Sequence, residues 1–110
     1  MKNTRDLSPN ISKKNRSLKS IKYVIIHYTG MQSEIESINW LKNLKSRVSC
    51  HYLINREGTV VRIAKDNKIA WHAGKSRWKN LKNLNKVSIG IELVNKGHKY
   101  GYENFTKIQI

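Results

Sequence analysis

A histidine near the end of an apolar, β-branched stretch is the first side chain in this sequence that could do chemistry. The stretch covers residues 23–29, and Gly30, three residues after His27, is expected to end the strand. Side chains on a strand alternate between the two faces, so His27 shares a face with Tyr23 and Ile25. A run that is apolar on both faces predicts a strand inside a sheet. His27 is then either a site residue at a strand's carboxyl end or a histidine that only hydrogen-bonds a neighbour.

A carboxylate occupies a similar position on a second predicted strand, residues 87–94. Alternation places four apolar side chains on one face, which predicts a core face: Val87, Ile89, Ile91 and Leu93. The other face carries Ser88, Gly90 and Glu92, and its two small residues predict an open groove floor that leads to the carboxylate. The alternative is a sheet with one solvated face, on which Glu92 is an ordinary surface charge.

An imidazole and a carboxylate together fit two of the roles at a catalytic zinc. Such a zinc has three protein ligands and one open position, and a nearby carboxylate can take a proton from its bound water. His27 suits the ligand role and Glu92 the proton-transfer role. No two histidines have a metal-binding spacing such as H-x-x-x-H, so spacing alone is weak support. The single cysteine, Cys50, excludes an internal disulfide and a cysteine-based structural zinc site.

The elements between these two strands include one helix and one hairpin. Ser33 and Glu36 form a capping box, and the apolar spacing after them predicts a helix of about three turns over the sheet. The apolar stripe of this helix consists of Ile35, Ile38, Leu41 and Leu44, with Trp40 beside it. Residues 50–55 and 59–64 predict two strands joined by a tight turn. Residues 65–84 lack periodicity but contain Trp71 and Trp78, which predicts a long structured loop with a functional role.

Composition limits the size of the protein and its partners. The chain has 110 residues, enough for one small domain. Its formal net charge of +15 attracts polyanions such as nucleic acid, an anionic membrane or an anionic cell-wall polymer. The basic residues are scattered and not gathered on one helix face, which disfavours specific nucleic-acid binding. Lysine and asparagine are frequent throughout the chain, so the alternative is that part of the basic excess reflects genome-wide composition.

The two ends of the chain differ from its middle. No apolar run approaches the roughly 18 residues of a transmembrane segment, and the basic N-terminus lacks the apolar part of a secretory signal peptide. The compartment is therefore open, and work in the cell envelope or periplasm would need another export route. Residues 1–20 predict a basic, mobile or loosely packed arm, and residues 21–110 the folded domain. Residues 105–110 predict the first turn of a helix.

Four motifs occur in order along the chain: YVIIHYT at 23–29, VSCHYLI at 48–54 with Glu57 and Gly58, AWHAG at 70–74, and SIGIELVN at 88–95. Together they resemble the zinc-dependent N-acetylmuramoyl-L-alanine amidases of type 2, a group that shares its fold with peptidoglycan recognition proteins. Ser8, Pro9 and Asn10 also resemble the segment that opens these enzymes. The resemblance covers nearly all of residues 23–95.

The resemblance implies a mixed central β-sheet flanked by helices, with Zn²⁺ in a groove above it and peptidoglycan or a muropeptide as substrate. It gives His27 as the first zinc ligand. Glu92 becomes the general acid or base that takes a proton from water and gives it to the departing L-alanine nitrogen. Four further side chains are expected on the substrate-binding side: Tyr28, His51, Trp71 and His72. For His51, alternation with Leu53 leaves open whether it faces the groove or packs beneath it.

The chain departs from this family at its C-terminal end. The family's other two zinc ligands, a histidine and an aspartate or cysteine, belong to a C-terminal segment, and the sequence ends at Ile110 before it. His98 does not match the ligand motif. We therefore expect an incomplete zinc site, a truncated or split amidase domain with little or no hydrolytic activity, and a partly uncovered core face. The alternatives are a module that binds peptidoglycan without cleaving it and a basic nucleic-acid-binding domain.

Overall fold

A mixed β-sheet forms the centre of the protein in a computed structural model, which describes residues 3–73, 77, 78, 81, 82, 84–97 and 103–109. The strands are β1 (Asn3–Arg5), β2 (Tyr23–Tyr28), β3 (Tyr52–Ile54), β4 (Val60–Arg62), β5 (Arg77–Trp78), β6 (Leu81–Lys82) and β7 (Ser88–Leu93). Five of them form the central sheet in the order β1-β4-β3-β7-β2, and β5 pairs with β6 separately. Strands β3 and β4 are antiparallel, whereas the other three neighbouring pairs are parallel.

The described residues form one α-helix, α1 (Glu34–Lys42), which packs on the central sheet. Three short 3-10 helices accompany it: Leu18–Ser20, Leu44–Ser46 and Leu84–Val87. Within the described ranges, no helix has both the length and the apolar character that crossing a membrane requires. The expected mixed sheet with helices is confirmed.

Strand β2 lies at the edge of the central sheet, beside β7. Val24, Ile26 and Tyr28 alternate along one of its faces and are 59%, 65% and 50% exposed. The prediction of a strand inside the sheet is therefore wrong for the described structure. Alternation correctly separates the two faces of β2, but it cannot say which of two apolar faces will be covered.

The hydrophobic core lies on the face of the sheet that carries His27 and Glu92. Leu53 is the register partner of Glu92, and Val61 is the partner of Leu53, so their side chains share this face. The core cluster consists of Leu41, Cys50, Leu53, Val61, Ile63 and Val94. On β7 the small residues Ser88 and Gly90 are buried, whereas the apolar residues of the other face are only half-buried. The predicted core face of β7 is thus wrong.

Helix α1 begins where the sequence predicts but buries only part of the predicted apolar stripe. Ser33 Oγ accepts the backbone N–H of Glu36 at 3.1 Å, as an N-cap does. The helix buries Ser37 and Leu41, and Ser37 can be buried because its hydroxyl donates to the Ser33 carbonyl. Of the predicted apolar stripe, Leu41 belongs to the core and Ile38 packs against it, whereas Ile35, Leu44 and the neighbouring Trp40 are exposed. The face of α1 that contacts the sheet therefore includes Ser37, which a search for apolar periodicity leaves out.

Residues 3–20 belong to the packed domain, so the expected loosely packed arm is wrong for them. Strand β1 pairs in parallel with β4, and Ser8 and Asn10 are buried. Asn10 Nδ2 lies 3.2, 2.8 and 2.8 Å from the backbone oxygens of Leu41, Asn43 and Val48. One asparagine therefore ties the N-terminal segment to the end of α1 and to the segment that precedes β3.

The β3–β4 hairpin is confirmed, and the last described residues form hydrogen bonds with it. Gly58 has φ +84°, a left-handed conformation that favours glycine in the turn. Gln109 Nε2 donates to the carbonyls of Ile54 and Val94 at 3.1 and 2.9 Å, so it caps the ends of β3 and β7. Residues 106–109 form a hydrogen-bonded turn, where the sequence predicts a first helical turn.

Replacing Asn10 with alanine is expected to lower the free energy of unfolding by about 2–3 kcal/mol, because buried backbone carbonyls lose their donor. Urea denaturation followed by tryptophan fluorescence measures the change. Asn39→Ala, on the exposed side of α1, is the matched control and should cost less than about 0.5 kcal/mol. Equal losses in the two variants would contradict the role assigned to Asn10.

Candidate active site

His27 on β2 and Glu92 on β7 lie side by side on one face of the central sheet. They are register partners in a parallel pair, and partners of this kind project their side chains to the same side. His27 is half-buried, and burial lowers the pKa of its imidazole. The structure thus brings together the two side chains that the sequence suggests for zinc binding and proton transfer.

The carboxyl group of Glu92 is partly buried on this face of the sheet. Its Oε2 atom is buried and has no hydrogen-bond partner among the described residues. This burial raises the pKa of Glu92 to about 8. A carboxyl group with a pKa near the working pH can both take up and release a proton, which is what general acid–base catalysis needs.

A chain of hydrogen bonds holds the ring of His72 against His27. Ser88 Oγ donates its only proton to the Leu84 carbonyl at 2.7 Å and lies 2.9 Å from His72 Nε2. Ser88 therefore accepts from His72 Nε2–H, which leaves His72 Nδ1 as an acceptor. His27 Nε2 lies 3.2 Å from this Nδ1 and donates to it. The hydrogen-bond pattern thereby assigns the tautomers of both imidazoles.

Gly90 provides the space that the His72 ring fills. A Cβ atom at position 90 would lie 2.4 Å from His72 Cγ, so any other residue there would force the ring to move. Burial is the main reason that the pKa of His72 falls to about 3, and the ring therefore stays neutral at physiological pH. The open groove floor predicted at Ser88 and Gly90 is wrong, because His72 covers both.

Polar side chains hold the loop that carries Trp71 and His72. Asn85 Oδ1 accepts the backbone N–H groups of His72 and of the next residue at 3.1 and 2.8 Å. Trp71 donates its backbone N–H to Ser49 Oγ and its indole N–H to Ser12 Oγ. Sequence reasoning missed Asn85, because asparagine is frequent in this chain and no spacing distinguishes this one.

His51 packs beneath the site, so its expected place among the substrate-binding residues is wrong and the packing alternative holds. It is fully buried, and its Nδ1 accepts the backbone N–H of Gly90 at 3.0 Å. His51 Nε2 therefore carries the proton and donates to the Lys68 carbonyl at 2.9 Å. Arg16 lies next to this ring and donates to the Ser88 carbonyl at 2.7 Å. Sequence reasoning missed Arg16, because residues 1–20 were expected to be loosely packed.

Tyr28 lies on the other face of the sheet from His27, so its expected place beside the substrate is wrong. Consecutive residues of a strand point to opposite sides, and the Tyr28 ring covers Gly97, where a Cβ atom would be 2.6 Å from it. Three positions that the sequence analysis considered lie outside what the structure describes: Gly74, the Trp78 side chain and His98.

The described residues only partly fit the zinc site that the resemblance implies. Across these residues, no group of three or more histidine, cysteine, aspartate or glutamate side chains could hold a metal ion. Cys50 is buried, and burial raises the pKa of its thiol well above the ordinary value. His27, with Glu92 beside it, is thus the part of the implied zinc site that these residues supply.

Comparison with protein families matches residues 17–110 to the family described as N-acetylmuramoyl-L-alanine amidase. AmiD of Escherichia coli K12, an N-acetylmuramoyl-L-alanine amidase, is 37% identical over 84 residues, which are 70% of this chain and 29% of AmiD. AmpD of the same strain, a 1,6-anhydro-N-acetylmuramyl-L-alanine amidase, is 49% identical over 47 residues, or 43% of this chain and 26% of AmpD. The matched part of the chain spans less than a third of either relative.

Solved structures show the same fold. A crystal structure of an AmpD derivative has a TM-score of 0.77 at 24% identity and covers 98% of this chain and 67% of that one. AmiD from E. coli, in complex with the substrate anhydro-N-acetylmuramic acid-L-Ala-D-γ-Glu-L-Lys, has a TM-score of 0.71 at 31% identity. That match covers 89% of this chain and 41% of AmiD.

Gly90→Ala is expected to cost about 1–3 kcal/mol of stability, because the added methyl group overlaps the His72 ring. The same substitution should be nearly neutral in a His72→Ala background, where the overlap is absent. Chemical denaturation of the four proteins in this double-mutant cycle measures the coupling. Equal costs in both backgrounds would show that the His72 ring does not fill this space.

His51 is expected to take up its proton at a lower pH than an ordinary histidine, which is about half-protonated near pH 6.5, and to be the Nε2–H tautomer when neutral. Burial lowers its pKa in the folded protein, so the unfolded chain takes up the proton first. Stability from His51 is therefore complete above about pH 6.5 and falls as the pH drops towards the folded pKa. Two-bond ¹H–¹⁵N spectra of the ring across a pH titration distinguish the states, and a His51 ring that titrates no lower than an ordinary histidine would contradict the assignment.

Proposed function

The chain belongs to the N-acetylmuramoyl-L-alanine amidase family, and from this premise we propose that its function is to hydrolyse the amide bond between N-acetylmuramic acid and L-alanine in peptidoglycan or muropeptides, with impaired activity because the described residues supply one of the implied zinc ligands. The observation that carries the proposal is the register of β2 and β7, which sets His27 beside Glu92. The two relatives with matching sequences are amidases of this kind by name. Peptidoglycan as the substrate would place the action in the cell envelope or periplasm if the protein is exported.

Glu92 is the proton-transfer residue in this proposal. Its carboxylate takes a proton from the water that attacks the lactyl carbonyl carbon, and the new C–O bond forms. The same proton then goes to the alanine nitrogen as the C–N bond breaks, so the carboxylate is restored and an amine leaves. A buried carboxyl group with a pKa of about 8 suits both transfers.

His27 is the proposed first zinc ligand, and zinc, when bound, supplies a polarised water and a positive charge for the developing oxyanion. His72 holds the His27 ring through its Nδ1 and is itself held by Ser88. A supported ring needs less ordering when a ligand binds, which is why residues behind a metal ligand matter for affinity. Trp71 and His72 are the proposed substrate-side residues of the loop.

Glu92→Gln is expected to lower the turnover of a muropeptide by about 100- to 10,000-fold, because the amide cannot move a proton. Purified protein with added zinc is incubated with N-acetylmuramoyl-L-alanyl peptides, and the released peptide is followed by mass spectrometry. Glu36→Gln is the matched control, since Glu36 is an exposed glutamate on α1. His27→Ala should remove any dependence of turnover on zinc.

The outcomes separate the amidase from its alternative. Turnover that survives Glu92→Gln as well as it survives Glu36→Gln contradicts the assignment of Glu92. Binding of the muropeptide by the wild-type chain without released peptide supports a non-catalytic peptidoglycan-binding module instead.

A further inference from the structure

Three segments of the chain, residues 11–22, 65–70 and 86–88, meet on one side of the protein and bring their lysines together. Backbone hydrogen bonds of 2.9 and 3.0 Å join the first segment to the second. The backbone N–H of Lys22 donates to the Val87 carbonyl at 2.7 Å, which joins the first segment to the third. Six exposed lysines lie on these segments, and we call them the basic face: Lys13, Lys14, Lys19, Lys22, Lys65 and Lys86.

Arg16 fixes the arrangement of the basic face. Its guanidinium group donates to the backbone carbonyls of Asp66 and Ser88 at 3.0 and 2.7 Å, so one side chain joins all three segments. These bonds use Arg16 inside the protein, whereas the six lysines are exposed. The basic face is therefore a folded surface with a fixed position beside β7, and not a mobile basic tail.

Carboxylates leave the charge of the basic face almost unopposed. On its three segments, Asp66 is the only acidic residue, and its Oδ1 accepts from the Tyr52 hydroxyl at 2.6 Å and pairs with Arg62 at 3.5 Å. The other six acidic residues lie elsewhere in the chain: Asp6, Glu34, Glu36, Glu57, Glu92 and Glu103. None of the six lysines forms an ion pair with a described carboxylate. The basic face therefore attracts a surface of negative charge.

An exposed leucine lies among these lysines. Leu18 is 61% exposed and begins the 3-10 helix Leu18–Ser20. Lys14 and Lys22 flank it at four residues on either side, and Lys19 follows it directly. At the boundary between lipid and water, an apolar side chain enters the acyl region while lysines contact the anionic headgroups. The combination of Leu18 with the basic face fits this boundary.

The composition of the same segments disfavours nucleic acid as the partner. Proteins that bind single strands without sequence preference stack bases on aromatic side chains. The three segments of the basic face contain no aromatic residue. Lysine is also a point charge, without the planar fork with which arginine recognises bases and phosphates. An anionic lipid surface needs only the charge and the apolar side chain that these segments carry.

We propose that the basic face binds an anionic lipid surface, with Leu18 inserted among the headgroups. Binding of this kind is peripheral and requires no membrane-spanning helix. Each lysine near an anionic leaflet strengthens binding by about fivefold. Because salt screens these contacts, the binding weakens as the ionic strength rises.

The chain contains a matched control for Leu18. The 3-10 helix Leu44–Ser46 has the same sequence, Leu-Lys-Ser, and Leu44 is 64% exposed. Ser46 hydrogen-bonds to Asn10 and to the Trp40 carbonyl, which places this second helix beside the end of α1. The two leucines thus agree in local structure and in exposure but differ in their surroundings. Leu44→Ser is therefore the control for Leu18→Ser.

The lysines have a control of equal charge. Lys14→Gln with Lys22→Gln removes two charges from the basic face. Lys96→Gln with Lys107→Gln removes two charges elsewhere, since both side chains are exposed and lie outside the three segments. All of the replaced side chains are exposed, so each variant keeps the packed core.

The test measures how the purified chain co-sediments with vesicles of phosphatidylcholine, with and without phosphatidylglycerol as the anionic lipid. The wild type should bind the anionic vesicles at least about 100-fold more tightly than the neutral ones. The lysine pair of the basic face should weaken this binding by about 25-fold, at fivefold per lysine. Leu18→Ser should weaken it by about fivefold, because an apolar side chain no longer leaves water. Both controls should stay within about twofold of the wild type.

Three results would overturn the proposal. Equal affinity for neutral and anionic vesicles would show that charge does not direct the binding. Equal losses in the two lysine pairs would show that binding follows the total charge of the chain and not the basic face. Equal effects of Leu18→Ser and Leu44→Ser would show that Leu18 has no special contact with the lipid.

A short DNA duplex, titrated with the same proteins, tests nucleic acid as the partner. Leu18→Ser should leave DNA binding unchanged, because a duplex has no apolar phase for the side chain to enter. If the lysine pair of the basic face weakens DNA binding but not vesicle binding, the basic face serves nucleic acid and the proposal is overturned. Pure lipid vesicles contain neither peptidoglycan nor muropeptide, so these results are independent of the proposed amidase function.

Discussion

The parallel pairing of β2 with β7 is the constraint on which the site depends. Its register makes His27 the partner of Glu92 and Ile25 the partner of Gly90. Side chains alternate with a period of two, so a slip by one residue would turn one of the two chemical groups to the opposite face. The backbone N–H of Gly90 also donates to the ring of His51, which ties β7 to the start of β3 and resists such a slip.

The ionisable side chains of the site favour their neutral forms, although the protein as a whole is strongly basic. Burial raises the pKa of Glu92 and lowers those of His27, His51 and His72, so each group favours its neutral form. A neutral imidazole has one donor and one acceptor nitrogen. His27 therefore donates to His72, and His72 donates to Ser88. The net charge of +15 therefore comes from side chains outside this site.

The sequence was enough to predict the two chemical groups, the hairpin and the helix cap, because each depends on residues close together in the chain or on alternation along one strand. The mixed sheet was predicted only through the resemblance to the amidase family. It could not predict how His72 covers Gly90 or how Arg16 reaches the Ser88 carbonyl, since that contact joins residues 72 positions apart. Periodicity also gave the wrong covered face for β7. Alternation separates two faces, but only the packing of α1 and of the His72 loop decides which face is buried.

The core and the site share one face of the sheet, and this joins stability to chemistry. Leu53, fully buried, is the register partner of Glu92, and Leu41 belongs both to the core cluster and to the wall of a small cavity beside that carboxyl. The packing that buries Leu53 also buries much of the Glu92 carboxyl group, and this burial is the cause of its raised pKa. A core substitution that lets water reach this carboxyl would lower that pKa towards the ordinary value without touching a catalytic residue. Proton transfer at Glu92 thus depends on side chains that a list of site residues would leave out.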